Sequence, residues 1–116
     1  MINTAEEFNK LRSSKNLDEQ HRAGVEEASI ETWKEVIIKY PELKQWVIYN
    51  KTIPIEILNQ LSKDPNPEIR SEVARKRKID SEIFNRLKVD EDENVKLALL
   101  NNTKLTNEQK SQIDAS

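Results

Sequence analysis

A 26-residue recurrence constrains this chain more than any other feature. Counting 26 residues forward, Leu61 becomes Leu87, Asp64 becomes Asp90, and Ile69-Arg70 becomes Val95-Lys96. Val73-Ala74 becomes Leu99-Leu100 and Ile79 becomes Leu105. Counting 26 backward, Pro67-Glu68-Ile69 becomes Pro41-Glu42-Leu43, Val73 becomes Val47, and Ile79 becomes Ile53. Glu56, Glu82 and Glu108 keep the same spacing. A fixed period of this size marks stacked repeats, each one a supersecondary unit that cannot cover its own apolar face alone. One Gly and four Pro leave little material for β-turns, so the repeating unit is expected to be a pair of helices.

Taken in order, Thr4-Ala5-Glu6-Glu7 has the form of a capping box, which predicts a first helix through Phe8 and Leu11. Ser13-Ser14-Lys15-Asn16 reads as the loop that ends it, and Asp18 as the cap of a second helix through Arg22 and Val25. Neither segment follows the period, so residues 1–28 are expected to be N-terminal cap helices. Ser29 caps the next helix, with Trp33, Val36 and Ile37 at helical spacing. Pro41 opens its partner, with Leu43, Val47 and the region of Asn50 turned inward. In the next unit Pro54 opens one helix, Ile57, Leu58 and Leu61 bury, Lys63–Asn66 turn, and Pro67 opens the second helix. Asp80 then caps, Ile83, Phe84 and Leu87 bury, Asp90–Asp92 turn, and Val95 and Leu99 bury.

Thr106, Glu108 and Ile113 hold the register of Asp80, Glu82 and Leu87, but Gln109-Lys110 stand where Ile83-Phe84 stood. A half-repeat with a polar outer face is a C-terminal cap. The expected organisation is therefore a single all-α domain over 1–116. It comprises a cap (1–28), three repeats (29–53, 54–79 and 80–105) and a half-repeat cap (106–116), together a whole small protein.

At Leu61…Asp64-Pro65-Asn66-Pro67-Glu68-Ile69-Arg70…Val73-Ala74 the chain resembles the HEAT-like and leucine-rich-repeat-variant α-solenoids, over about residues 30–113. The resemblance implies a short right-handed α-solenoid whose second helices line a partner-binding face. It also implies a charge ladder between repeats, for which Asp64–Arg70 and Asp90–Lys96 have the required spacing. The first unit departs from the pattern, with Lys44 present but Ile38 in place of the Asp.

The composition excludes several classes of chemistry. His21 is the only His and there is no Cys, so an N/S-type zinc site, a nucleophile–His pair elsewhere in the chain, and a disulfide framework are not expected. One Gly rules out a Gly-rich phosphate loop. No apolar run approaches the roughly 18 residues of a membrane span, and the N-terminus lacks a signal-peptide pattern. Neither an enzyme nor a cofactor is expected. The absence of Cys fits a reducing cytoplasm.

Two features remain as candidate binding elements. The first is cationic. Segments 1–31, 32–64, 65–88 and 89–116 carry net charges of -3, +1, +3 and -3, so the middle is basic between acidic ends. It contains Arg70 and the run Arg75-Lys76-Arg77-Lys78, with Arg86 and Lys88 nearby, and Lys51 lies one period before Arg77. Helical spacing would put Arg70 and Arg77 on one face. The competing structural roles are ladder pairing for Arg70 and neutralisation of a negative helix end for residues 75–78.

The second feature is aromatic. Four of the six aromatic residues, Trp33, Tyr40, Trp46 and Tyr49, fall close together. Positions 43/69/95 and 47/73/99 are apolar in every unit. Trp46, however, corresponds to Glu72 and Ala98, and Tyr49 to Arg75 and Asn101. Stacking does not require an aromatic at either place, and Trp and Tyr are favoured interface anchors. The competing structural role is that the first unit's aromatics fill its junction with the irregular cap helices, a role that fits Trp33 best and Tyr49 as well as the anchor role does.

The expectation is a monomeric, non-catalytic protein-binding module. Its partner face would use Trp46, Tyr49, Lys51, Arg70, Arg75, Lys76, Arg77 and Lys78. Small acidic solenoids of this kind resemble bacterial immunity or antitoxin-type proteins that cover one cognate partner. The alternative is a HEAT-like nucleic-acid binder using the basic region 70–88, against which stand the net charge of -2 and the pI near 5.5.

Overall fold

The computed structural model describes residues 1–113, and these are all-helical: nine α-helices and one 3₁₀ turn, with a single parallel bridge between Ile2 and Ala28. None of the helices is long and apolar enough to cross a membrane. The chain divides into two compact units, Met1–Ile57 and Leu58–Ser116. Residues Asp114–Ser116, part of the expected C-terminal cap, lie outside the described residues.

In the first unit, α1 (Ala5–Ser13) packs on α2 (Leu17–Val25) and α3 (Ile30–Lys39). A 3₁₀ turn (Pro41–Leu43) leads into α4 (Lys44–Tyr49), and both lie against α3. Pro41 begins the turn because the missing N–H has no intrahelical partner there anyway. Thr4 Oγ1 accepts from Glu7 N (3.0 Å), while the Glu7 carboxylate accepts from Asn3 N (2.7 Å), one residue earlier than a strict capping box requires.

The cap of α2 is Asn16, not Asp18. Asn16 Oδ1 accepts from Asp18 N (2.8 Å) and Glu19 N (3.3 Å), which places Asp18 inside the first turn. There its charge still complements the positive end of the helix. Ser29 caps α3 through Thr32 N (3.1 Å).

Ile2, Phe8, Trp33, Val36, Val47, Ile48 and Ile53 are fully buried, and Phe8 meets Trp33 edge-on at 5.2 Å and 80°. Burying side chains of this size contributes about 1.5–3 kcal/mol each, so this aromatic pair anchors the unit. Trp33 therefore belongs to the core. Asn50, also fully buried, donates through Nδ2 to Ala23 O (2.8 Å) and Glu26 O (3.0 Å), and its Oδ1 accepts from Thr52 N (2.8 Å). Lys51 N donates to Gly24 O (2.8 Å). Carbonyls at the end of α2, which the helix itself cannot satisfy, are thus capped by the turn after α4.

Helix α5 (Ile55–Leu61) runs across the division between the units. In the second unit α6 (Pro67–Ala74) lies along α8 (Glu93–Leu100), and α7 (Ser81–Leu87) touches both. The short α9 (Asn107–Ser111) follows. Asn66, Asp80, Asp92 and Thr106 each cap a helix with a side-chain oxygen. The core of this unit is mostly aliphatic: Leu58, Leu61, Val73, Ile83, Leu87, Val95 and Leu99, with Phe84 as its aromatic.

Candidate functional site

Helix α4 carries the aromatic feature. Trp46 and Tyr49 stand three residues apart on it and so share a face. Their rings meet edge to face at 5.5 Å and 89°, a geometry worth about 0.5–1.5 kcal/mol beyond the area it covers. Tyr49 is 43% exposed, and Gln45 Nε2 donates to its hydroxyl at 2.8 Å. Trp46 is partly buried, and Arg12, on α1, lies over its indole with the guanidinium carbon 3.7 Å from the ring centroid. Lys51 is exposed in the turn that follows.

Arg12 was invisible in the sequence. It sits in the segment that lacks the 26-residue period, so no corresponding position exists against which to notice it. Lys10 and Arg12 together make the last turn of α1 basic, complementing its negative end.

The cationic feature lies in the second unit. Helix α6 stops at Ala74, so Arg77 is on the turn beyond it and does not share a helical face with Arg70. The cause is local. Asn102 Nδ2 donates to Ala74 O (2.8 Å) and Lys76 O (2.9 Å), whereas a continuing helix would need Ala74 O to accept from residue 78.

Residues 75–78 therefore present four cations on a turn. Arg75 is paired with Glu72 at 2.5 Å, and Arg77 is exposed. Burial pushes the Lys76 ammonium below the ordinary lysine range, and the Lys78 charge adds to that shift. Desolvation lowers Lys78 as well.

Arg70 has a different environment. Its side chain is only 14% exposed, and its Nε and Nη2 donate to the two Asp90 oxygens at 2.9 and 3.2 Å. Its Nη1 donates to Asp64 O (2.8 Å) and Pro65 O (3.2 Å). Asp90 raises the Arg70 pKa still further above its ordinary value. All three guanidinium nitrogens are engaged, so Arg70 ties α6 to the turn before α8. Arg86 is held by Asn59 and Ser62, both at 2.7 Å, and Lys88 by Gln112 at 3.2 Å.

Lys39 bridges Glu35 (2.8 Å) and Glu6 (3.1 Å), and these two hydrogen-bonded carboxylates raise its pKa to about 12. A cavity of about 490 Å³ lies along α1 and α2, with Glu6, Glu7, Lys10, Glu19 and Arg22 among its lining. His21 is exposed, and among the described residues no group of three His, Cys, Asp or Glu is placed to hold a metal ion.

The geometry therefore offers two candidate elements: an aromatic–guanidinium cluster on the first unit and a cationic turn on the second. No family model matches the chain, and neither a curated protein nor a solved structure matches it.

Proposed function

We propose that this chain is a non-catalytic protein-binding module of the HEAT-like, leucine-rich-repeat-variant α-solenoid type, working in the cytoplasm and engaging an acidic protein partner. The repeat assignment is supported by helix positions. Helix α7 begins 26 residues after α5, α8 begins 26 after α6, and α9 begins 26 after α7. The repeats are then 29–53, 54–79 and 80–105.

One observation carries the functional reading: Trp46 and Tyr49 form a ring pair, with Tyr49 open to solvent, at positions where the other units carry Glu72, Ala98, Arg75 and Asn101. A scaffold side chain would be expected to repeat, and this pair does not. Large, rigid aromatics bury much area for little lost entropy, which makes them suitable anchors. Lys51 flanks the pair on the first unit, and Arg75, Lys76, Arg77 and Lys78 supply a second, electrostatic element. Arg70 supports the second element from within the fold. An immunity or antitoxin role, in which the module covers one cognate partner, is the specific form this reading favours.

The test is affinity capture from the native source with the wild-type chain, Trp46→Ala, Arg77→Glu and the surface control Lys34→Ala. A protein held by wild type and control but weakened by more than about 1 kcal/mol in the first two variants supports the assignment. Equal recovery by all four overturns it. A fluorescent DNA duplex titrated at low and higher salt separates the rival class, because counterion release makes nucleic-acid binding fall steeply with salt.

A further inference from the structure

We infer that the Arg12–Trp46 stack is a preformed receptor for a carboxylate, taking an Asp or Glu side chain of the protein partner. The inference rests on the protein-binding reading above and gives its aromatic cluster a partner chemistry.

The argument begins with how the chain uses its arginines. Of six, Arg22, Arg70, Arg75 and Arg86 are each ion-paired to a carboxylate within the chain. Arg12 has no carboxylate partner among the described residues; its described side-chain contact is the Trp46 ring. At 3.7 Å the guanidinium carbon lies over the indole at a stacking separation, and a guanidinium stacked on an aromatic face keeps its in-plane N–H donors for other partners.

The indole in turn is fixed by Tyr49 edge-on, and Tyr49 is fixed by Gln45. Stacking therefore removes much of the side-chain freedom that a free arginine would lose on binding. That saving favours a bidentate acceptor arriving in the guanidinium plane. The acidic residues of α1, Glu6 and Glu7, are in its first turn, whereas Arg12 is in its last, so the helix does not neutralise the donor internally.

A carboxylate fits this element better than a polyanionic backbone. Arg12 is one planar cation bordered by two aromatic rings, which suits an acidic side chain beside an apolar one. Phosphate backbones are instead held by many cations in a field, and this chain carries a net charge of -2.

The experiment observes the Arg12 Nε–H and Trp46 Nε1–H signals of the full chain by NMR. Three probes are titrated: a blocked hexapeptide of alternating Glu and Leu, its Gln-for-Glu counterpart, and a short oligothymidylate. The expected result is movement of both signals by the Glu peptide alone. Arg12→Lys, which keeps the charge but loses the planar fork, should weaken that binding by about fivefold or more. Trp46→Ala, which keeps Arg12 but removes its support, should weaken it to a similar degree.

An equal response to the Gln peptide, or a stronger one to oligothymidylate, overturns the carboxylate assignment. If Arg12→Lys binds the Glu peptide unchanged while Trp46→Ala does not, the aromatic patch stands and the receptor falls. If no peptide moves the Trp46 signal, both fall.

Discussion

Asn50 in the first unit and Asn102 in the second stand two 26-residue periods apart, with Lys76 at the position between, and make similar bonds. Each is buried. Each donates through Nδ2 to two backbone carbonyls, Ala23 and Glu26 for one and Ala74 and Lys76 for the other. Each also accepts at Oδ1 from the backbone N–H two residues on, Thr52 and Lys104. The outward residues around them differ. Trp46 and Tyr49 precede Asn50, whereas Ala98 and Asn101 precede Asn102. Buried chemistry of this kind is scaffold, because backbone carbonyls taken out of water must find donors. Surface chemistry that does not recur is where a partner-specific role can be carried.

The two tryptophans make the largest test of that distinction. Trp33 is fully buried against Phe8, so Trp33→Ala should destabilise the fold by about 3–5 kcal/mol, read as a lower urea midpoint with unchanged slope. Trp46 lies under one arginine and against the Tyr49 ring at the surface of α4, and Trp46→Ala should cost about 1–2 kcal/mol. Comparable losses would mean that both tryptophans are core residues and that the aromatic patch is not a surface element.

Next come the buried asparagines. Asn50→Ala and Asn102→Ala should each cost about 2–3 kcal/mol, since each leaves buried carbonyls without a donor. The two values should agree to within about 0.5 kcal/mol if the device is equivalent in both units. A large loss for one and a small loss for the other, in thermal or urea denaturation, would break the comparison.

A third pair lies within the second unit. Arg70→Met keeps the aliphatic stem but leaves Asp90 short of its charged donors, and should cost about 1.5–2 kcal/mol. Arg77→Glu changes an exposed turn residue and should alter stability by no more than about 0.5 kcal/mol. The reverse order would return Arg70 to the partner-binding set and make Arg77 structural.

Much of the local structure was legible because it depends on short-range rules. Thr4, Ser29 and Asp80 are the caps that the sequence predicts, and Ile57, Leu58, Leu61, Val95 and Leu99 are buried as their spacing requires. Asp18 misled because Asn16, two residues earlier, can also reach the free N–H groups, and a cap is decided by which oxygen arrives with the right backbone angle. Arg70 and Arg77 were put on one face by assuming that α6 continues. It ends instead at Ala74, whose carbonyl accepts from Asn102, a residue 28 positions beyond. Arg12 could not be read at all, since its contact with Trp46 joins residues 34 apart through an aperiodic helix. The asparagine clamp was not legible, since Lys76 stands one period after Asn50 and a polar residue just after a helix looks like loop until its carbonyl partners are seen.

The smallest expected effect is also the most local. Glu26 caps the end of α2, and its pKa falls from 4.5 to about 2, first through its hydrogen bonds with Arg22 and then through the terminal ammonium 3.2 Å away. Since the folded value lies below the unfolded one, the associated stabilisation is present in full above about pH 4.5 and is lost as pH falls towards 2. A carboxyl titration followed by NMR should place the Glu26 midpoint near 2, and Arg22→Gln should raise it towards the ordinary carboxylate range. The Glu26 backbone is held by Asn50 Nδ2 and by Thr52 Oγ1 (3.3 Å). Asn50→Ala should therefore loosen the cap and shift the midpoint in the same direction, whereas Asn102→Ala should leave it where it is. A midpoint that moves with both variants would show that the two clamps report on global stability, and one that moves with neither would show that the Arg22 pair holds its geometry without the clamp.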